Sequence, residues 1–331
     1  LSKLPDDVMI FPAHGAGSLC GAHLGDEPKS TIGKEKTSNP YLKAKGKGEF
    51  VALVLQGLPE APQYFKHDAL MNRTGPPLVK WDATMPKVKK ATKQLSDPKK
   101  YYLVDVRDAQ SYADGHVPNS VNIAVRGRFE NWVGTMVPWG SKLVLVGDTE
   151  LLKEARHRLY RVGYQGDILT PASWQQAKLP LKKGNPIAAS ELHDLMQKGE
   201  APLIVDVRLP KEWMAMRIGT VLNLPLTHLA ELSSKLQPDQ PVVVVCNSAY
   251  RSSMAAGILE RKGFTMARNL EGGSQAWMDA GFPVVKGEPN EHAELVPTKA
   301  EPKKPAAPQS GENAGKAPPA APAPKISSEG C

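Results

Sequence analysis

The stretch VVVVCNSAYRSSMAAGILERKGF, Val242 to Phe264, decides the fold. A run of β-branched residues ends at Cys246, a loop of small and polar residues reaches Arg251, and an Ala/Leu-patterned segment follows. A strand that feeds a helix through so short a loop predicts an α/β unit built on a small parallel sheet. It also puts a thiol at a helix N-terminus. Unpaired N–H groups and the helix dipole at such a position favour a thiolate and hold an anion. The chemistry expected is nucleophilic thiol chemistry on a small anion, set against a plainer alternative in which Cys246 is only a small apolar residue at a strand end.

Four residues, Asn247, Ser248, Ala249 and Tyr250, separate Cys246 from Arg251. Thiol phosphatases and arsenate reductases place five there, and the shorter loop suits a terminal persulfide sulfur rather than a tetrahedral oxyanion. With LIVDVR (Leu203–Arg208) before it and NLEGGSQAWMDAGFPV (Asn269–Val284) after it, the region resembles a rhodanese domain, the sulfurtransferase fold. Ala249 stands where many members carry Gly, and a positive φ there would cost an alanine about 1 kcal/mol. MRIGTVLNLP (Met216–Pro225) replaces the usual Gly-His-Ile-Pro-Gly-Ala entry and reads as altered packing. The resemblance implies that Cys246 is the nucleophile and carries a persulfide held by the loop N–H groups of Asn247, Ser248, Ala249, Tyr250 and Arg251. Arg251 would counter the anion and orient the loop. Implied partners are small anionic sulfur compounds such as thiosulfate, glutathione persulfide and sulfite, or other thiols, with no cofactor.

A second copy of the pattern lies upstream. YYLVDVRDAQSYADGHVPNSVNIAV (Tyr101–Val125) repeats the strand and the Asp-x-Arg and keeps a Gly-His-Val-Pro entry, and LVLVGDTELLKEARHRLYRVGY (Leu143–Tyr164) repeats strand, loop and helix. Gly147 occupies the place of Cys246, and Asp148 follows it, so this copy lacks a nucleophile and its loop would repel an anion. It is expected to be catalytically silent. His116 reads as a ring that satisfies backbone groups, and Asp105 and Asp206 as strand-end carboxylates that cap loop N–H groups.

Ahead of both copies, FPAHGAGSLCGAHLGDEPKSTIGKEKTSNPYL (Phe11–Leu42) and PEAPQYFKHDALMNRTGPPL (Pro59–Leu78) resemble the C-terminal end of a metallo-β-lactamase-fold hydrolase, in the branch of persulfide dioxygenases fused to rhodanese domains. His14 falls on a position that binds the second metal in two-metal members. The His-x-His-x-Asp-His motif is absent from the chain, so no metal site is expected in it. The chain, which starts at Leu1, is read as the C-terminal part of a longer polypeptide. The domains expected are a metallo-β-lactamase-fold remnant (1–75), a rhodanese-like domain without the catalytic Cys (76–184), a rhodanese domain with it (185–288) and a disordered Pro/Ala/Lys-rich tail (289–331).

The formal net charge of +8 is concentrated in the Lys-rich stretch before Tyr101. Without interleaved aromatics or a nucleic-acid-binding motif, that stretch reads as a solvated face, so neither nucleic acid nor membrane is an expected partner. Three scattered cysteines, Cys20, Cys246 and Cys331, fit neither a disulfide framework nor a zinc site, and free thiols suit the cytoplasm. Two other functions stay open at this point: a fragment of a metal-dependent persulfide dioxygenase or other hydrolase, and a non-catalytic sulfur-carrier or interaction module.

Overall fold

The computed structural model describes residues 1, 3–13, 27–55, 61–79, 86–219, 221–287 and 295–296. His14, Cys20, Cys331 and nearly all of the 289–331 tail lie outside the described residues. No helix among the described residues is long and apolar enough to cross a membrane.

The chain divides into two compact units. The first joins Leu1–Ala83 to two pieces of the first repeat, Glu130–Gly140 and His157–Gln165. Here Tyr64 is buried against Gly134, where an added Cβ would lie 2.4 Å from the ring. His67 stacks on Trp139 at 4.2 Å, and Gln63 donates to the carbonyls of Thr135 and Val137.

The second unit holds the second repeat and the rest of the first, each with a four-stranded parallel sheet of an α/β fold. In the first repeat the strands are β1 (Tyr102–Asp105), β2 (Ser120–Asn122), β3 (Leu143–Val146) and β4 (Gly166–Leu169), in the order β2-β1-β3-β4. The second repeat has β5 (Leu203–Asp206), β6 (Leu222–Asn223), β7 (Val242–Val245) and β8 (Ala267–Asn269), in the order β6-β5-β7-β8. The centre strands are continuous apolar runs because helices cover both faces. Ile204, Val243 and Val245 pack with Leu192 and Trp277 on one side, and helix α1 (Tyr250–Arg261) lies against β7 on the other.

The repeats match contact by contact. Asp105 pairs in register with Val146, and Asp206 with Val245, so Gly147 and Cys246 follow equivalent strand ends. Asn122 Nδ2 donates to the carbonyls of Asp105 and Arg107; Asn223 Nδ2 donates to those of Asp206 and Arg208. The indole N–H of Trp174 donates to Pro180 O and that of Trp277 to Pro283 O. The divergent entry at Met216–Pro225 keeps the backbone bridge as well, Arg217 pairing with Val285 as His116 pairs with Lys182. Only the side chains differ: Arg217 stacks over Trp213, whereas His116 reaches Glu260.

The two repeats meet along α1, which lies on β2 of the other repeat. Gly257 makes the approach possible, since a Cβ there would come within 2.8 Å of Ser120 O and 2.9 Å of the Val121 Cα. On either side of it the seam is polar. Ser253 Oγ donates to Asn122 Oδ1 at 2.7 Å. Glu260 accepts from Asn119 N–H at 2.7 Å and lies 3.1 Å from both His116 Nε2 and Lys182 Nζ. Arg261 lies over the Tyr102 ring and donates to the carbonyls of Pro98, Tyr101 and Asn119. His116, 2% exposed and stacked on Tyr112, is thus bound on both ring nitrogens, to Tyr112 O and to Glu260.

Gly257→Ala tests the seam by the sign of its effect. In an exposed helix that exchange stabilises by about 1 kcal/mol, but here the methyl must push two backbones apart, at a cost of about 1–3 kcal/mol. Urea unfolding should show the variant to be less stable than the parent; a gain would mean the approach is not tight.

Candidate active site

Cys246 follows β7 and is 1% exposed, beneath a loop whose Asn247 and Ser248 face solvent. Helix α1 starts at Tyr250 after Ala249, whose φ of 68° and ψ of −10° are left-handed. That conformation turns the chain sharply from strand into helix, and it is the positive φ that the alanine at this position was expected to strain. The first N–H groups of α1 have no acceptor within the helix. Cys246 Sγ lies 3.2 Å from the buried Ser252 Oγ, in the first turn of α1.

A second layer fixes the loop from outside. Asp206 accepts from the Arg208 N–H and from its guanidinium, as Asp105 does from Arg107, so both carboxylates cap their loops as expected. Arg208 also donates to Met216 O and to Asn247 Oδ1, the latter at 3.1 Å. Behind the loop, Ser274 N–H donates to Cys246 O at 2.7 Å and Gln275 N–H to Asn247 O at 3.0 Å. Gly273, with φ of 63°, permits this contact, because a Cβ there would fall 2.3 Å from Cys246 O.

Arg251 is paired with a carboxylate of its own repeat. Its guanidinium forms two parallel hydrogen bonds to Glu212, at 2.8 and 2.7 Å, on helix α2 (Pro210–Ala215) of the same repeat, and Glu212 also accepts from Asn247 Nδ2 at 3.3 Å. The bidentate pair orients the loop but leaves little of the Arg251 charge for an incoming anion. Those hydrogen bonds hold the Glu212 carboxyl below the usual carboxylate range against the effect of burial, and they raise Arg251 above its own. Neither Glu212 nor Ser252 was apparent as a site residue from the sequence. Glu212 follows Asp206 closely enough to belong to the same motif, but its charge partner lies 39 residues away.

The equivalent place in the first repeat is closed. Between β3 and the helix Thr149–Leu159 there are only Gly147 and Asp148, where the second repeat has Cys246 to Ala249. A Cβ on Gly147 would lie 2.6 Å from a Val106 methyl. Among the described residues no group of three or more His, Cys, Asp or Glu side chains gathers as a metal site would require.

The family model described as rhodanese-like domain matches residues 88–168 and 188–280, more than half the chain. A protein named sulfurtransferase from Allochromatium vinosum is 34% identical over 104 residues, 31% of this chain and 97% of that protein. A probable adenylyltransferase/sulfurtransferase, MoeZ, from Mycobacterium tuberculosis is 34% identical over 97 residues, 29% of this chain and only 25% of that one. A solved metallo-beta-lactamase from Staphylococcus aureus is 28% identical, with a TM-score of 0.39, over 51% of this chain and 47% of that one. That likeness is too slight to bear on the leading segment.

The Arg251–Glu212 pair has a pH signature. Because the folded-state pKa of Glu212 lies below the unfolded value of about 4.3, the stability it contributes is complete above that pH and is lost as pH falls through the folded value. Below about pH 4.3 the thermal midpoint of the parent should therefore fall more steeply than that of Glu212→Gln. Parallel curves would show that the pair contributes nothing.

Proposed function

The chain belongs to the rhodanese-like family, and on that premise we propose that it is a sulfurtransferase moving sulfane sulfur through a persulfide on Cys246. What supports the reading most is the placement of that thiol: at a strand end, under a four-residue loop, against the N-terminal turn of α1 and the Ser252 hydroxyl. The sulfurtransferase names of the relatives agree with it.

The reaction is a double displacement. The Cys246 thiolate attacks the outer sulfur of the donor; a new Sγ–S bond forms, the donor S–S bond breaks, and the leaving group departs with the electron pair, as sulfite when the donor is thiosulfate. The persulfide anion is held by the loop N–H groups of Asn247 to Arg251. An acceptor thiolate, or cyanide in an assay, then attacks the outer sulfur, and the electron pair of the breaking Sγ–S bond returns to Cys246. Sulfur passes between nucleophiles, so no external oxidant or reductant enters. Arg251, tied to Glu212, keeps the loop open at the length a single sulfur needs. On its motifs, the leading segment reads as the end of a metallo-β-lactamase-fold domain, which would place this transferase beside persulfide-handling chemistry.

Cys246→Ser should abolish transfer from thiosulfate to cyanide and leave the circular dichroism spectrum unchanged, whereas Cys20→Ser and Cys331→Ser should change the rate little. Activity of the Cys246 variant within tenfold of the parent would sink the assignment.

Gly147→Cys in a Cys246→Ser background asks whether the first repeat is silent only for want of sulfur. The two-residue turn, the Val106 methyl 2.6 Å from any Cβ at this position and the neighbouring Asp148 all oppose a working site. A carboxylate beside a thiol also disfavours the thiolate. No persulfide is expected at position 147 by mass spectrometry after thiosulfate treatment, and its formation at rates near those of the parent would refute the closed-turn account.

A further inference from the structure

The cations around the Cys246 loop are not equivalent. Three guanidinium groups belong to or touch loop residues: Arg251 itself, Arg208 at Asn247, and Arg126 at Tyr250. Arg251 is held by both oxygens of Glu212, and Arg208 by both oxygens of Asp206, so each of these charges is balanced where it sits. Arg126 alone has no carboxylate partner among the described residues, and it is exposed.

Arg126 comes from the other repeat. It follows β2 and places its guanidinium carbon 4.9 Å from the centroid of the Tyr250 ring. The Tyr250 hydroxyl in turn donates to Ala124 O at 3.1 Å, so ring and cation are fixed to each other through the seam. Tyr250 is the last residue between Cys246 and Arg251, and Asn247 and Ser248 form the solvent-facing rim beside it. An unbalanced charge in such a place attracts an approaching anion more than either neutralised pair does.

We propose that Arg126, held against Tyr250, is an anion-binding subsite that the silent repeat contributes to the Cys246 site, and that it takes the negatively charged leaving group of the sulfur donor. The inference rests on the sulfurtransferase reading and extends it: the repeat without a nucleophile supplies donor recognition. The ligand chemistry is an anionic group attached to a sulfane sulfur, whether the sulfonate end of thiosulfate or a carboxylate of glutathione persulfide.

The test uses the full chain and compares the parent with Arg126→Gln, Arg126→Lys and, as a control outside the subsite, Arg128→Gln. KM and kcat are measured for thiosulfate, for glutathione persulfide and for ethyl persulfide, whose terminal sulfur leaves behind ethanethiolate with no carboxylate or sulfonate, with cyanide as acceptor. In Arg126→Gln the KM for at least one anionic donor should rise by about threefold or more, on the scale of one partly exposed charge contact, with kcat nearly unchanged. Whichever anionic donor responds identifies the source of the charge. Arg126→Lys should recover most of the loss, and neither the ethyl persulfide KM nor the Arg128→Gln variant should move.

A smaller change for both anionic donors overturns the subsite. So does an equal rise for ethyl persulfide, which would mark Arg126 as a support for the loop. The underlying reading is checked separately by intact mass: a parent protein that gains no sulfur on Cys246 from any donor removes that reading and the subsite with it.

Discussion

The backbone of one repeat comes within contact distance of a helix of the other at Gly257, and the placement of the Cys246 loop depends on that approach. Helix α1 starts at the loop and lies along β2. Its position is set by the absence of a side chain at Gly257 and by the polar contacts of Ser253, Glu260 and Arg261 on either side. A loop that begins a helix inherits that helix's position. The first repeat is thereby part of the foundation on which the Cys246 loop stands.

Around the thiol, rigidity and charge are handled by different residues. Arg208 and Arg251 are both spent on carboxylates, and they serve as struts between the Asp-x-Arg turn, helix α2 and the loop. Such bidentate pairs specify geometry more than they create a field. The Ser252 hydroxyl then lies beside the sulfur, at the end of α1 whose first backbone amides have no acceptor within the helix. Under the proposed function this division would suit an intermediate that adds a single sulfur atom to the thiol, for which a cradle of fixed size matters more than a strong counter-charge.

Much of this was legible in the residues. The apolar runs gave the strands, the Asp-x-Arg pairs gave the strand-end turns, and the odd alanine at 249 pointed to a left-handed residue, found at φ of 68°. All of these are local signals, carried by neighbours in the chain. The equivalence of Trp174 and Trp277 was not legible, because it survives only as one indole and a proline carbonyl six residues on, within otherwise unlike sequence. Glu212 and Arg126 were hidden for another reason. Their meaning lies in partners 39 and 124 residues away, and a single charged residue carries no mark of which opposite charge or ring it will face. The divergent entry at Met216–Pro225 looked like altered packing, and its side chains are indeed repacked, but the backbone bridge beneath them is common to both repeats.

The fastenings shared by the repeats, the asparagine brackets at Asn122 and Asn223 and the tryptophan latches at Trp174 and Trp277, all lie outside the turn that follows the central strand. That turn is consequently a detachable cassette. Its length can change from four residues to two while strand, helix and register stay as they are. A change in that turn then carries no threat to the fold, and the frame of either repeat remains interchangeable with that of its twin.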